Sequence, residues 1–121
     1  MKIIIAGSRN LFPRPQEITA AMEIFNFKPY SNTPLEIVSG LAKGVDMEGK
    51  YWAQDRDIPV KEFPANWNLY GTRAGILRNI EMGKYADALL AFWNGKSRGT
   101  KHMIKFMLDL DKPIKVVLCL P

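Results

Sequence analysis

The sequence predicts an α/β protein: a doubly wound, mostly parallel sheet of about five strands, in the order 3-2-1-4-5, with helices on both faces. Three observations lead there. Short β-type runs alternate with segments of helical periodicity along the whole chain. The runs at residues 2–6 and 88–92 are continuously apolar, as strands buried on both faces must be. Strands one, two and four are each followed at once by a glycine-containing turn, the connection a parallel βαβ unit uses at its carboxyl edge.

The elements follow in order. Residues 2–6 form the first strand, which stops at Gly7-Ser8-Arg9-Asn10. Pro13 and Pro15 mark a loop and a helix start, and Ile18, Ala21, Met22 and Phe25 recur at i, i+3, i+4, i+7. Pro29 to Pro34 reads as loop. Residues 35–38 are the second strand, and the turn Ser39–Asp46 carries Gly40 and Gly44, placed to allow positive φ and close backbone approach. Val45, Gly49, Trp52 and Ala53 give the second helix its apolar stripe. Residues 58–63 are a short third strand whose Pro59 suits a sheet edge. Residues 64–71 read as a long aromatic loop. A third helix is expected from about Thr72 to Tyr85, with Ile76, Leu77, Ile80 and Gly83 inward. Residues 88–92 are the fourth strand, and Trp93–Thr100 the third glycine turn. Met103, Phe106, Met107 and Leu110 define the fourth helix, and Ile114 to Leu120 the last strand.

Composition narrows the function classes. A chain of 121 residues with 47% hydrophobic content fits one domain, 1–121, with a real core. No apolar run approaches the roughly 20 residues of a membrane span, and the apolar start is too short for a signal peptide. The single Cys119 excludes an internal disulfide and reads as a buried, inert thiol. A cytoplasmic, reducing setting is therefore expected. One histidine and one cysteine argue against zinc. The net charge of +5 favours anionic partners.

That charge is concentrated. The edge loops and helix starts carry Arg9, Arg14, Lys43, Arg73, Arg78, Lys96, Arg98 and Lys101, with Asp46 their only acid. The rest of the chain holds eleven acids against nine bases. Such a patch at helix N-termini suits phosphate, which arginine grips as a bidentate fork. The candidate ligand-binding residues are Gly7, Ser8, Arg9, Ser39, Gly40, Lys43, Gly44, Asp46, Arg78, Asn79, Gly95, Ser97, Arg98, Gly99 and Thr100.

Single residues keep two roles open. Thr100, Ser8 and Ser39 offer hydroxyls to a phosphate, or to helix caps and turns. Asp46 accepts from a ribose hydroxyl or complements a helix dipole. Arg78 leaves the apolar stripe of its helix by the 100° step. His102 lacks a nearby orienting carboxylate and reads as pocket lining or surface rather than as a base. Trp67, Tyr70 and Trp93 stack on a base or pack at a subunit contact. A symmetric homodimer is expected from the apolar surplus of residues 64–70 and the third helix.

Gly7-Ser8-Arg9, Ser39-Gly40-x-Ala42-x-Gly44-x-Asp46, Phe63-Pro64-Ala65-x-Trp67, Ala74-Gly75-x-x-Arg78-Asn79-x-x-Met82 and Gly99-Thr100 occur in that order. The pattern resembles the SLOG superfamily of Rossmann-like nucleotide-binding proteins, specifically its small YpsA-related group, over nearly the whole chain. The resemblance implies a Rossmann-like fold and a pocket for a nucleotide or nucleotide-derived ligand, with no other cofactor. Within the superfamily, Lonely Guy phosphoribohydrolases carry Pro-Gly-Gly-x-Gly-Thr-x-x-Glu. This chain keeps Arg78 and Gly99-Thr100, lacks the Pro-Gly-Gly, and has Met103 at the glutamate position. Cleaving an N-glycosidic bond needs a carboxylate near the developing sugar cation, so strong hydrolase activity is not expected. DNA-processing protein A carries a turn similar to Ser39–Asp46 and binds single-stranded DNA, which keeps nucleic-acid binding as a further alternative. A long basic track with alternating aromatics, which would favour it, is missing.

Overall fold

The computed structural model describes residues 1–25 and 34–120. The loop expected at Pro29–Pro34 lies, Pro34 apart, outside them.

Five parallel strands form one sheet: β1 (Lys2–Gly7), β2 (Glu36–Ser39), β3 (Val60–Glu62), β4 (Ala88–Trp93) and β5 (Ile114–Leu118). Their order is β3-β2-β1-β4-β5, the predicted 3-2-1-4-5. β1 is central, in register with β4 from Ile3↔Ala88 to Gly7↔Phe92 and with β2 from Lys2↔Glu36 to Ile4↔Val38. The helices are α1 (Pro15–Met22), α2 (Val45–Gln54), α3 (Trp67–Tyr70), α4 (Ala74–Tyr85) and α5 (Arg98–Asp109).

Strand side chains alternate between two cores. On one face Ile3, Ile5, Ile37, Leu90 and Phe92 meet Ile18 and Met22 of α1 and Val45, Trp52 and Ala53 of α2. On the other, Ile4, Ala6, Val38, Leu89 and Ala91 meet Met82 of α4 and Met103 and Met107 of α5. Each fully buried aliphatic or aromatic side chain of this kind stabilises by about 1.5–3 kcal/mol. The end of α4 is held by Lys112, whose Nζ donates to the carbonyls of Gly83 and Ala86, both at 2.7 Å. These are orphan acceptors that a helix C-terminus leaves behind.

Two expectations about the third helix need correction. It begins at Ala74, after a 3₁₀ turn over Gly71–Arg73, and the residues read as plain loop contain the single helical turn α3. Its inward face is also different. Gly83 is buried as expected and Leu77 and Ile80 are partly buried, but Ile76 is 49% exposed, whereas Ala74, Asn79 and Met82 are buried and Arg78 is half-buried. The first turns of α4 stand at the carboxyl edge, where polar groups rather than apolar strand residues receive them. Arg78 therefore packs inward, and Ile76, two residues and about 200° away, stays half exposed at the rim of a cavity on that edge.

Candidate functional site

The turn after β1 and the turn after β4 are joined by hydrogen bonds. Ser8 N donates to Phe92 O at 3.1 Å, and Asn94 N donates to Ser8 Oγ at 3.1 Å. Asn94 Nδ2 donates to Asn10 Oδ1 at 3.3 Å. A Cβ on Gly7 would lie 2.1 Å from Phe92 O, so the strands approach this closely only with glycine there.

Asn94 also shapes the start of α5. Its Oδ1 accepts from Lys96 N and Ser97 N, both at 2.8 Å, and Gly95 takes φ +81° beside it. Ser97 occupies the N-cap position but its side chain does not cap the helix; its Oγ lies 3.2 Å from Thr100 Oγ1. The N–H groups of the first turn have no intrahelical acceptor, and that turn contains no acid.

The turn after β2 packs against the same place. Gly44 adopts φ +88°, and a Cβ on it would meet Ser8 O and Arg9 O at 2.6 Å. The other positive φ of this turn falls on Leu41, at +63°, and not on Gly40. Gly40 serves close approach instead, since a Cβ there would lie 2.8 Å from both Arg78 Nη1 and Asp46 Oδ2. Ser39 Oγ donates to Asp46 O at 3.1 Å and accepts from Leu41 N at 3.2 Å. The Asp46 carboxylate accepts from Gly7 N and from Ala42 N, each at 3.3 Å, tying the second turn to the first.

Asp46 is only 4% exposed. Burial pushes its pKa up to about 6, against the opposing pull of Arg78, the Ala42 and Gly7 N–H groups and Arg9. Arg78 donates through Nη1 to Gly40 O at 2.6 Å and through Nε to Asn79 Oδ1 at 3.1 Å. Its own pKa is lowered, burial outweighing the support of Asp46. Asn79 Nδ2 donates to Gly99 O at 3.1 Å and lies 3.4 Å from His102 Nδ1. Burial lowers the His102 pKa. Asn79 thus links the α4 arginine to the first turn of α5.

These elements enclose a cavity of about 480 Å³, within the usual size of small-molecule sites. Of the sequence-predicted residues, Gly7, Ser8, Arg9, Asp46, Arg78, Asn79, Ser97, Gly99 and Thr100 line it. Ser39, Gly40, Lys43, Gly44, Gly95 and Arg98 stand outside the wall. Ser39, Gly40, Gly44 and Gly95 shape the turns, while Lys43 and Arg98 are exposed. Of the eight basic edge residues, Arg9 and Arg78 reach the wall; Arg14 pairs with Glu17 at 3.2 Å. Sequence reasoning passed over the polar or small wall residues Asn10, Thr72, Gly75 and Asn94, and the apolar ones Ala6, Ala42, Ile76 and Met82. Asn94 had a usable signal, an Asn-Gly pair directly after a strand, where an Asn side chain mimics a backbone turn. Met103, 1% exposed, also borders the cavity with its thioether.

The arrangement can receive an anion at the α5 start, with Arg9 and Arg78 in the wall of the same cavity, and accept a hydrogen bond from a hydroxyl at Asp46.

Comparison with known proteins gives two findings. The model of the YspA, cpYpsA-related SLOG family matches residues 1–70, from β1 to the end of α3. The Gene 61 protein of Mycobacterium phage D29 is 34% identical over 110 residues, covering 86% of each chain. No solved structure matches the chain.

Proposed function

Since the chain belongs to the YspA, cpYpsA-related SLOG family, we propose that its carboxyl-edge cavity binds and senses a nucleotide or nucleotide-derived phosphorylated ligand. Membership points to nucleotide-related function; the cavity supplies the particulars. One observation carries the proposal. The start of α5 has no side-chain cap and no first-turn acid, and it borders the same cavity as Gly7–Arg9 and Arg78. The phosphate lies against Gly99, Thr100 and the Gly7–Arg9 turn, where helix N–H groups and positive charge converge. Asp46 faces a sugar hydroxyl.

Strong phosphoribohydrolase activity is not expected of this site. Cleaving an N-glycosidic bond requires a group that stabilises a sugar cation or moves a proton. Met103 does neither, and Asp46 is, among the described residues, the one carboxylate of the cavity wall that could substitute, which Asp46→Asn would reveal if turnover were found. In an assay for free base released from nucleoside monophosphates, the expected outcome is no turnover in the ordinary enzyme range of about 1–1000 s⁻¹.

Thermal unfolding with a panel of nucleotides and inorganic phosphate tests the binding. A nucleotide at 100 times its Kd adds about 2.7 kcal/mol, a rise of roughly 8–16 °C for a chain of this size. Arg9→Ala should reduce the shift without lowering the unliganded midpoint, because Arg9 lines the cavity and its side chain is exposed. A panel without any shift overturns the proposal.

A further inference from the structure

Residues 66–73, which include α3 and the 3₁₀ turn after it, are exposed throughout and bury no side chain. The hydrogen bonds of α3 are local: Leu69 N donates to Asn66 Oδ1 at 3.1 Å and Tyr70 N to Asn66 O at 3.0 Å. This segment nevertheless sends Trp67 into the cavity wall, where it is the one aromatic side chain among the described residues. Tyr70 and Trp93, the other candidates for stacking, are not in the wall. The Trp67 ring lies over α4, with its far edge 3.5 Å from where a Gly75 Cβ would sit.

Arg9 extends over Trp67, its Cζ 6.0 Å from the ring centroid, and also lines the cavity. Both side chains are substantially exposed. A flat ring inserted between them needs about 7 Å, twice the ~3.5 Å contact distance of stacked carbon atoms. The gap therefore opens by only about 1 Å to admit one. The side that must move is the segment without buried anchors. The opposing faces also suit such a guest, since an indole stacks on any base and a guanidinium adds a cation–π contact.

We propose that Trp67 and Arg9 clamp the planar base of the ligand between indole and guanidinium. The site then selects a phosphate that carries an aromatic ring over a bare sugar phosphate, with little discrimination among bases. The inference rests on the ligand reading of the same cavity.

Calorimetric titration with AMP, CMP and ribose 5-phosphate tests it, on the native chain, Trp67→Ala and Trp67→Phe. AMP should bind at least about 10-fold tighter than ribose 5-phosphate, and CMP within about 10-fold of AMP. Trp67→Ala should weaken AMP by about 5- to 150-fold and leave ribose 5-phosphate unchanged, with Trp67→Phe recovering most of the loss. Equal affinity for AMP and ribose 5-phosphate, or AMP affinity unaltered in Trp67→Ala, overturns the clamp and leaves the phosphate site in place. An equal loss of both ligands in Trp67→Ala also overturns it, because Trp67 then acts on the fold. If none of the three probes binds the native chain, the cavity reading falls and the clamp with it.

Discussion

Two helices begin at the same sheet edge, against the same β1 turn, with opposite charge arrangements. Neither α2 nor α5 has a side-chain cap. The first turn of α2 holds Asp46 and Glu48; the first turn of α5 holds no acid. At α2 the protein supplies the anion itself, a buried carboxylate held by Gly7 N and Ala42 N. At α5 it supplies Ser97, Gly99 and Thr100 to an open cavity. One helix start carries its own acids, and its neighbour, which carries none, opens on the cavity. On the proposed function, this difference puts the phosphate at α5 and not at α2.

The contrast is broken most severely by wedging the α2 turn off β1. Gly44→Ala forces a Cβ at positive φ onto two carbonyl oxygens at 2.6 Å. The expected cost is at least about 3 kcal/mol, measured by urea unfolding, from strain and steric overlap together. A loss under about 1 kcal/mol would show that the two turns are not closely packed.

Asp46 gives the next largest effect. Its native pKa of about 6 stands above the unfolded value of about 4, so the native state holds the extra proton in between. Stability from this group is therefore greatest below about pH 4 and falls as pH rises to about 6, by about 3 kcal/mol in all. Asp46→Asn should remove that slope, so that the difference between variant and native chain shifts in favour of the variant across this window. Parallel profiles from denaturation at pH 4, 5, 6 and 7 would mean that the carboxyl ionises at its ordinary value.

The smallest effect sharpens the comparison by making α5 resemble α2. Arg98→Glu puts an acid in the first turn of α5. The helix dipole should then stabilise the unliganded protein by about 0.3–1 kcal/mol at low salt. The same change should weaken nucleotide binding. A variant that gains stability and keeps full affinity would place the phosphate elsewhere.

Much of this was legible in the sequence. The parallel sheet and its two-faced core follow from continuous apolar runs alternating with helices, and 3-2-1-4-5 is a usual doubly wound order for such a chain. The pairing of the three turns follows from the same topology. What stayed hidden has local causes. Ile76 stayed half exposed and Arg78 became half-buried because apolar periodicity assumes an apolar receiving surface, and the start of α4 meets a polar one. α3 was invisible because a single turn with no buried side chain leaves no periodic signal. The positive φ at Leu41 went unread because residue type points to the neighbouring Gly40. Asn10 and Thr72 are wall residues only through the folding of other segments around them.

The central position of β1 also sets a schedule for synthesis. Gly7 pairs with Phe92, 85 positions later in the chain. At about 5–20 residues per second, β1 waits about 4–17 s for that partner, although β2 and α2 arrive much sooner. The nascent chain can thus cover the α1–α2 face of the sheet early, while Ile4, Ala6 and Val38 on the other face stay wet until α4 and α5 emerge. That uncovered face and the unpaired β1 edge are where crowding between unfinished copies does most harm.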